Sequence, residues 1–563
     1  YQGHNQYFSV MPLKSLPVNH LVGKKLYGWS KREEVLQGLD WRTPFFAVKG
    51  DSKAKIVLNS RISGVSGYRP VNRVEIVERA FANVLPHIKD NPDYVAWEEK
   101  YMAYRFSSRS IKMPYSAIKE KTVYPYFINA QQKLSDAALK AIDEALTIWE
   151  SSIRKFIPKK SLRLLSFEEA SDQLPATTNW GLPYMVSGTE VSQGKIERDN
   201  RPLYIKKAKH LAYQPLTEKD RLENAFISIW RGQESNDTND RVNGEVVPKQ
   251  RRPWAEGHAW TILGNRMKAF LEARKSDPRR SALVSQSKVD KEIHLAFSAL
   301  KPNDWMLAWD GSSYDTWMMP SIASKICAII IDSFDATAQE LQACERYFTH
   351  VFSDPLVTPE GILWGEHGMP SGTTFTNELD SCYNEVLSIA VQFLPKQINR
   401  LGISLDMVVD QGDDAVMVMT GIVKDTSTEE IADVISDCYK ELNMSVNPKK
   451  QMISKVKTEF LKRLHTKDKE PSYRSYVWST IGMCNMEHSK AWKWPMYSAR
   501  WIMQLANHYA SLPGFNAFME FASQGDEELH LGVGIKGGAY SIFQRAGGVD
   551  TVLKRLDMTS YAT

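Results

Sequence analysis

Three aspartates in this sequence have the positions expected of ligands for divalent cations. Asp413 and Asp414 follow Gly412 between two short apolar runs, which predicts a buried β-hairpin with both carboxylates at its turn. Adjacent carboxylates repel each other, so burying both requires a compensating cation. Mg²⁺ suits this position because it prefers oxygen ligands and leaves coordination positions open for phosphates. A solvated turn is the simpler alternative, since Asp and Gly are ordinary turn residues.

The third aspartate, Asp310, directly follows the apolar run Trp305–Trp309, which we interpret as a second buried strand. Asp315 lies five residues further on, ahead of a helix predicted to begin around Pro320. At that position Asp315 has two interpretations. It is a common type of helix-start residue, or it lies beside Asp310 in a site that faces the Asp413–Asp414 turn.

A turn rich in glycine, serine and threonine occupies residues 368–377 and leads into a predicted helix over 378–387. Free N–H groups and small hydroxyls at the start of a helix suit a phosphate or a ribose. A capping loop without a ligand is the alternative. The residues of interest in this segment are Ser371, Gly372, Thr376 and Asn377.

A basic segment, Lys249, Arg251 and Arg252 beside Trp254, is the remaining candidate for contact with a ligand. Residues 241–290 hold 11 basic and 5 acidic side chains, whereas the whole chain has a net charge of only +5. Arginine offers bidentate donors to phosphate and tryptophan offers a stacking surface. Because most charge runs are solvated loops, this segment alone is a weak indication of nucleic-acid binding.

Composition limits the class of protein. A chain of 563 residues with 43% hydrophobic and 24% charged residues is typical of a soluble globular protein with about three or four packed units. The five cysteines are scattered without C-x-x-C spacing, which favours reduced thiols, an intracellular setting and no structural zinc. No apolar run approaches the ~18 residues of a membrane span, so we expect no membrane segment.

The remaining pattern predicts elements that would position these residues. An amphipathic helix is predicted from Ser135 to about Phe156, with Leu139, Ile142, Leu146 and Trp149 in the core. Residues 75–106 are predicted to be partly helical with a break at Asn91-Pro92. Further helices are predicted over 215–232 and 428–442, a short strand pair is predicted to begin at 459–463, and residues 465–563 are predicted to be mainly helical.

Taken together, the motifs resemble those of viral RNA-dependent RNA polymerases, and the resemblance covers roughly residues 175–465. In chain order, the matches are Asp310 and Asp315 to the first palm motif, Ser371, Gly372, Thr376 and Asn377 to the second, Gly412, Asp413 and Asp414 to the third, Lys450 (or Lys449 in a shifted register) to the fourth, and Phe460, Lys462 and Arg463 to the fifth. Upstream, Lys249, Arg251 and Arg252 resemble the basic fingertip motif, and Gly181 and Pro183 resemble the motif where the template enters. The amino-acid sequence around these motifs is most similar to that of polymerases of double-stranded RNA viruses of the picobirnavirus and partitivirus kind.

This resemblance implies an α+β, right-hand polymerase fold, with fingers, a palm built on an antiparallel sheet, and a mainly helical thumb. We expect an N-terminal arm or cover over residues 1–75, fingers with some palm segments over 76–300, the palm over 301–464 and the thumb over 465–563. The implied activity is template-directed RNA synthesis that replicates and transcribes a viral RNA genome.

The resemblance also implies a role for each matched residue. Asp310, Asp413, Asp414 and Lys450 would be catalytic, and two Mg²⁺ ions, with Mn²⁺ as an alternative, would be bound by the three aspartates and the Gly311 carbonyl. Nucleotide binding would involve Lys249, Arg251, Arg252, Asp315, Ser371, Gly372, Thr376 and Asn377. RNA binding would involve Gly181, Pro183, Phe460, Lys462 and Arg463. Expected partners are RNA template and product, nucleoside triphosphates and a viral capsid protein, for a monomer located in the virion interior and the host cytoplasm.

Two rival functions share part of this pattern. A reverse transcriptase has paired palm aspartates, but we expect it to carry a bulky steric gate instead of the Ser-Gly-x₃-Thr-Asn set. A catalytically silent RNA-binding scaffold would not be expected to retain Asp310, Asp413, Asp414 and Lys450 together.

Overall fold

The structure is a computed structural model, and most of the residues that it describes lie between positions 73 and 484. The described residues are 9–12, 56–57, 73–106, 110–111, 115–174, 181–182, 201–228, 231–233, 241–242, 245–246, 249–251, 253–281, 284–358, 361–395, 401–422, 425–484, 508, 510–511, 513–515 and 517–518.

Helices form much of this part of the chain. They are α1 (Arg73–Ile88), α2 (Pro92–Met102), α3 (Tyr115–Thr122), α4 (Tyr124–Ala130), α5 (Asp136–Ile153), α6 (Phe167–Asp172), α7 (Arg201–Tyr213), α8 (Glu218–Glu223), α9 (His258–Asn265), α10 (Lys268–Ala273), α11 (Gln286–Ala299), α12 (Tyr314–Trp317), α13 (Pro320–Ile331), α14 (Ala338–Ser353), α15 (Thr376–Val391), α16 (Thr428–Glu441) and α17 (Tyr476–Cys484). Short 3₁₀ turns lie at Ala103–Phe106, Arg274–Ser276 and Pro448–Lys450.

The strands are mostly short and gather into several sheets. They are β1 (Ser9–Pro12), β2 (Ile56–Val57), β3 (Ser110–Ile111), β4 (Phe226–Ser228), β5 (Arg231–Gln233), β6 (Arg241–Val242), β7 (Glu245–Val246), β8 (Lys249–Arg251), β9 (Trp254–Ala255), β10 (Trp305–Trp309), β11 (Leu356–Thr358), β12 (Gly361–Trp364), β13 (Ser404–Gln411), β14 (Asp414–Thr420), β15 (Met452–Ser454), β16 (Lys457–Phe460), β17 (Arg463–Thr466) and β18 (Lys469–Arg474).

The central sheet has the strand order β13-β14-β10-β15, and all its pairings are antiparallel. Helix α15 packs against β13 and against α5. Apolar residues from these helices and strands join one large core, which fixes the sheet between helices. These observations confirm the predicted α+β class with an antiparallel central sheet. The division into fingers, palm and thumb, with bounds at 75, 300 and 464, stays a prediction.

A second sheet has the order β1-β12-β11-β4-β9 and includes one parallel pairing, β11 with β4. The N-terminal strand β1 joins this sheet by pairing with β12, from Ser9 opposite Trp364 to Pro12 opposite Gly361. The basic strand β8 pairs with β5 and directly precedes β9. The second sheet therefore connects the start of the chain to the segment that follows the basic run.

Several predicted helices are confirmed. Helix α5 begins after Ser135, whose hydroxyl accepts a hydrogen bond from the Ala138 N–H at 3.1 Å, as a capping residue does. The break at Asn91-Pro92 separates α1 from α2, and residues 428–441 form α16. The assignment of Leu139 to the core is wrong, because this residue is 40% exposed.

The predicted helix over 215–232 is wrong. Thr217 begins α8 through a capping box with Asp220, but the helix ends at Glu223. The segment Phe226–Ser228 that follows is the buried strand β4, which lies between β11 and β9. A short apolar run with an aromatic and a β-branched residue fits a buried strand as well as a helix, and pairing with two neighbours decides the outcome.

Helix α17 is held at its first turn by a buried carboxylate from α2. Glu98 is 0% exposed and accepts hydrogen bonds from Tyr473 Oη at 2.6 Å, Ser475 Oγ at 2.7 Å, and the backbone N–H groups of Tyr476 at 2.8 Å and Val477 at 3.0 Å. Burial raises the pKa of Glu98, and these four hydrogen bonds oppose the rise. The carboxylate thus pairs N–H groups that the start of a helix leaves unsatisfied. Much of 1–75 and 465–563 lies outside the described residues.

A buried histidine links the second sheet to helix α14. His350 Nδ1 lies 2.6 Å from Asp354 Oδ2, and its Nε2 lies 3.2 Å from Glu256 Oε1. Its ring stacks between Trp260 and Phe226, with centroid distances of 4.2 and 4.5 Å. Burial lowers the pKa of His350, but Asp354 and Glu256 outweigh burial, so the pKa is raised. The structure therefore favours a charged imidazolium here.

Among the helices of the described residues, none combines the length and the apolarity that a membrane span requires. The thiols of Cys327, Cys344, Cys382 and Cys438 are buried and not in disulfides, in line with the expected reduced state.

Candidate active site

The predicted catalytic aspartates lie at adjacent strand ends of the central sheet. Trp309, the last residue of β10, pairs with Ala415 in β14, so Asp310 continues toward the position opposite Asp414. Asp414 in turn pairs with Gln411 across the tight β13–β14 turn. Antiparallel pairing thus brings the end of β10 and the hairpin turn to one edge of the sheet. The predicted hairpin and the predicted strand are both confirmed.

These carboxylates influence one another electrostatically. Burial raises the pKa of Asp414 to about 7, with further contributions from Asp413 and Asp310, while Lys462 opposes the rise. A carboxyl group with carboxylate neighbours resists ionisation unless a cation compensates the charge. The strand ends are therefore a site of unbalanced negative charge.

Two side chains of helix α15 hold the hairpin turn by hydrogen bonds. Gly412 has φ +66° and donates its N–H to Ser381 Oγ at 2.8 Å. Asn384 Nδ2 donates to the Asp413 carbonyl at 3.3 Å. The positive φ explains the requirement for glycine at this turn. The two hydrogen bonds fix the position of the turn relative to α15.

Two residues from the segment after Asn447 approach Asp310. Lys450 Nζ lies 3.9 Å from Asp310 Oδ2, and both side chains are partly exposed. Gln451 binds the Asp310 backbone on both sides: its Oε1 accepts the N–H at 3.2 Å and its Nε2 donates to the carbonyl at 3.0 Å. The neighbouring Lys449 donates its backbone N–H to Asn447 Oδ1. This geometry supports Lys450 over Lys449, and Gln451 is a supporting residue that the sequence analysis missed.

Asp315 lies beside a second, buried carboxyl group. Burial raises the pKa of Asp380 well above its usual range, and the largest further contributions come from Asp315, which shares a hydrogen bond with it, and from Asp413. A hydrogen bond between two carboxyl groups requires a proton on one of them, and the raised pKa of Asp380 favours Asp380 as the protonated partner. Tyr314 Oη donates to the Asp380 carbonyl at 2.8 Å and thereby joins α12 to α15. No motif in the sequence indicated Asp380.

The turn at 368–377 packs closely around this group. The Met369 N–H donates to the Asp315 carbonyl at 2.9 Å. The Thr376 hydroxyl donates to the Pro370 carbonyl at 2.7 Å and so closes the turn internally. The buried Ser371 Oγ has no hydrogen-bond partner among the described residues. The predicted helix that follows is confirmed as α15.

A buried network of arginines and carboxylates supports the start of α15. Arg274 is 0% exposed and donates to Glu378 Oε1 at 2.7 Å and to Glu385 Oε1 at 2.6 Å, and it also pairs with Asp277. Arg280 donates to Glu378 Oε2 at 2.7 Å. Burial alone would raise the pKa of Glu378, but Arg274 and Arg280 outweigh it and lower that pKa. No short motif in the sequence indicated this network.

The basic and template motifs are only partly within the described residues. Lys249 and Arg251 lie on strand β8, of which only the backbone is described, whereas Arg252 and Pro183 lie outside the described residues. Gly181 has φ +61°, and a Cβ there would lie 2.3 Å from the Glu256 carbonyl oxygen. Gly181 is therefore a close contact of the segment that follows β9. Its predicted contact with RNA stays a prediction.

The fifth motif forms the β16–β17 hairpin, and its three residues differ in exposure. Phe460 is 2% exposed in an apolar cluster, and Arg463 is 3% exposed with its Nε donating to Ser472 Oγ at 2.6 Å. Lys462 is exposed, and its Nζ lies 3.9 Å from the centroid of the Trp478 ring. RNA binding by these residues stays a prediction, and the burial of Phe460 and Arg463 does not support direct contact by those two.

The aspartates fit divalent cations by donor type. Within the described residues, no three His, Cys, Asp or Glu side chains are already arranged as a metal-binding group. Asp310, Asp413 and Asp414 nevertheless offer carboxylate oxygens from adjacent strand ends, and their mutual repulsion helps to raise the pKa of Asp414. Mg²⁺ prefers oxygen ligands of this kind. A bound cation would remove that repulsion, so the residues present suit this group.

Comparison with known proteins gives a family and a fold. Residues 91–477 match the family model described as viral RNA-dependent RNA polymerase. The crystal structure of the RNA-dependent RNA polymerase of a human picobirnavirus is similar with a TM-score of 0.66 and 20% identity, covering 91% of this chain and 95% of that chain. Its insertion-loop deletion mutant gives a TM-score of 0.67 at 20% identity, covering 90% and 96%. No curated protein sequence matches significantly. At this identity the structural likeness establishes the fold.

Proposed function

The chain belongs to the viral RNA-dependent RNA polymerase family, and we propose that Asp310, Asp413 and Asp414 catalyse its nucleotidyl transfer with two bound metal ions. One observation supports this proposal above the others. The end of β10 and the β13–β14 turn place carboxylates at one edge of the sheet, and Lys450 lies 3.9 Å from Asp310.

The three aspartates and the Gly311 carbonyl would hold the metal ions, Mg²⁺ or Mn²⁺. When bound, such ions stabilise the attacking and leaving oxygens of an in-line displacement at phosphorus. Lys450 would supply a proton to the departing pyrophosphate, which is the role of a general acid. Gln451 holds the Asp310 backbone on both sides and thereby fixes the direction of its side chain.

The incoming nucleotide would lie between the basic strand β8 and the start of α15. Lys249, Arg251 and Arg252 would balance the charge of the triphosphate, and Ser371 would offer its hydroxyl, with Gly372 and Thr376 shaping the turn. Asp315 and Asn377 would hydrogen-bond the ribose 2′-hydroxyl, which distinguishes RNA precursors from DNA precursors. Gly181, Pro183 and Lys462 are the proposed RNA contacts.

The wider biological role is part of the same proposal. We infer that the enzyme replicates and transcribes the genome of a double-stranded RNA virus, acts as a monomer with RNA and nucleoside triphosphates, and works in the virion interior and the host cytoplasm with a capsid protein. The family match and the likeness to picobirnavirus polymerases support this inference.

Asp413→Asn tests the metal-binding role. The substitution keeps the shape of the side chain but removes its charge, so RNA synthesis on an RNA template should fall by at least about 10²-fold, the scale of losing a central electrostatic contribution. Asp406→Asn is the matched control, because Asp406 is exposed on β13 of the same hairpin and pairs with Val418, away from the turn.

Both variants should remain folded, and the control should keep the parent activity. Because Asp413→Asn removes charge repulsion with Asp414, it should melt at no lower temperature than the parent protein. Incorporation by Asp413→Asn near the parent rate would refute the metal assignment. Parallel reactions with ribo- and deoxyribonucleotides would also separate RNA synthesis from reverse transcription.

A further inference from the structure

Arg280 is a buried residue whose side chain contacts the side chain of Asn377. It is 3% exposed, its Nε donates to Glu378 Oε2 at 2.7 Å, and its Nη2 donates to Asn377 Oδ1. The backbone around Arg280 is tied to strand β13, because the Asp410 N–H donates to the Arg279 carbonyl at 2.8 Å. The guanidinium is therefore fixed with respect to both α15 and the catalytic hairpin.

This contact determines which way the Asn377 amide faces. A guanidinium has only hydrogen-bond donors, so the amide atom in contact with Arg280 has to be the oxygen. The Nδ2 group then points away from Arg280, and it lies 3.6 Å from the position that a Cβ on Gly412 would occupy. Asn377 consequently presents a donor, and not an acceptor, toward the hairpin turn. From the sequence alone, the Asn377 amide could present either its donor or its acceptor.

We propose that Arg280 is a positioning residue that fixes Asn377 as an obligate hydrogen-bond donor to the nucleotide's 2′-oxygen. This inference rests on the sugar-binding role proposed above for Asn377 and Asp315. The 2′-hydroxyl then accepts a hydrogen bond from Asn377 and gives its own proton to the Asp315 carboxylate. The Asp315 carboxylate also shares a hydrogen bond with Asp380, so the group that a deoxyribose leaves without its partner is the Asn377 N–H.

The surrounding charges allow Arg280 to be tested in a folded protein. Glu378 lies between two arginines, since Arg274 Nε donates to its Oε1 at 2.7 Å and Arg280 Nε to its Oε2. Arg280→Met therefore leaves Glu378 with one cationic partner. Arg280→Met/Glu378→Gln removes a positive and a negative charge together and is the second variant, in case the single variant does not fold.

Arg279→Met is the matched control. Arg279 is the adjacent arginine, but its guanidinium pairs with Asp277 through hydrogen bonds of 2.9 and 2.6 Å. Asp277 also pairs with Arg274, so it keeps a partner in this variant. The control removes a guanidinium from the same network without touching Asn377.

The experiment measures the incorporation efficiency, kcat/KM, of matched ribo-, 2′-fluoro- and 2′-deoxynucleotides by the full-length enzyme on an RNA template. The 2′-fluoro group can accept a weak hydrogen bond but cannot donate one, so its advantage over deoxy reports the Asn377 donor. The ribo-to-deoxy ratio should fall about tenfold in Arg280→Met, the scale of one hydrogen bond, and the fluoro-to-deoxy ratio should approach one. Both ratios should stay at the parent values in Arg279→Met.

Asn377→Ala distinguishes the positioning role of Arg280 from the sugar-binding role of Asn377. If Asn377→Ala lowers the ribo-to-deoxy ratio while Arg280→Met and the double variant do not, the positioning role is refuted and the sugar-binding role stands. If Asn377→Ala leaves the ratio unchanged, the sugar-binding role itself fails. A parallel loss of ribo- and deoxynucleotide use in the Arg280 variants would show a merely structural residue and would also refute the inference.

Discussion

Replacing Gly372 by alanine should disable the enzyme without unfolding it. A Cβ at this position would lie 2.0 Å from the Trp254 carbonyl oxygen and 3.1 Å from its carbonyl carbon. The clash is with backbone, so no side-chain rotation can relieve it. Gly372 belongs to the turn that carries Ser371, and Trp254 begins the strand that directly follows the basic segment. The substitution therefore acts where two proposed nucleotide-binding segments touch.

The expected loss of activity in Gly372→Ala depends on whether the turn at 372 or the strand at Trp254 moves to relieve the clash. Trp254 is 0% exposed and packs against Phe127, Phe226 and His367, so the strand is firmly held. To reach an ordinary contact of roughly 3.5 Å, the turn at 372 has to shift by more than about 1 Å. A displacement of that size in a substrate-binding segment costs about 10²-fold in rate. This loss corresponds to about 2.7 kcal/mol of transition-state stabilisation.

Single-nucleotide incorporation on a primed RNA template is the appropriate assay, because it gives kcat and KM separately. Gly372→Ala should lower kcat/KM about 10²-fold, in line with the shift of the turn. Gly482→Ala is the control, since a Cβ at Gly482 meets no atom within 4 Å and alanine is the better helix former. Parent-like kinetics in Gly372→Ala would refute the argument that this turn positions the nucleotide.

Three further substitutions test other parts of the structure. Lys450→Leu should slow nucleotide incorporation by about 10²-fold or more, as expected for a lost general acid, whereas Lys449→Leu should have little effect; equal losses would contradict the assignment. His350 has a raised pKa in the folded protein, so its ion pairs contribute stability that is complete below its ordinary pKa of 6.5 and is lost as pH rises through the raised value. The melting temperature of His350→Gln should therefore differ most from the parent at low pH, and a gap that widens with rising pH would contradict this. Glu98→Gln places an amide against four donors and should destabilise the protein by about 1–3 kcal/mol, which thermal unfolding would detect; an unchanged melting temperature would show that the contact is dispensable.

The parts of the site that were predicted correctly are those whose structure depends on residues adjacent in the sequence. The β13–β14 hairpin follows from apolar runs on either side of Gly412, and its turn needs the positive φ that glycine adopts easily. Strand β10 follows from the apolar run before Asp310, and α15 follows from the turn-rich segment before it. In each of these cases the signal lies within the predicted element or directly beside it in the sequence.

The supporting contacts of the site could not be predicted in this way, because they join residues distant in sequence. Gln451 binds Asp310 across 141 positions, and Arg280 binds Glu378 across 98. In the sequence these arginines and glutamates look like solvated charges on helix surfaces, which is the usual role of such residues. Their burial becomes apparent only in the structure, where Arg274, Arg280 and Glu378 are at most 3% exposed.

The location of the buried charges indicates that they position the Asn377 side chain and do not primarily stabilise the fold. Burying an ion pair costs desolvation energy that the mutual attraction often fails to exceed, and apolar replacements of similar volume are frequently neutral or stabilising. The network of Arg274, Arg280 and Glu378 is nevertheless fully buried, and it lies directly beneath Asn377 and beside the hairpin that carries Asp413. An apolar core could fill this space, but it could not hold the Asn377 oxygen, because an apolar group does not distinguish the oxygen of an amide from its nitrogen. A buried guanidinium provides such a donor in a rigid, planar form. The network therefore has the properties needed to orient a hydrogen bond at the sugar, which apolar packing lacks.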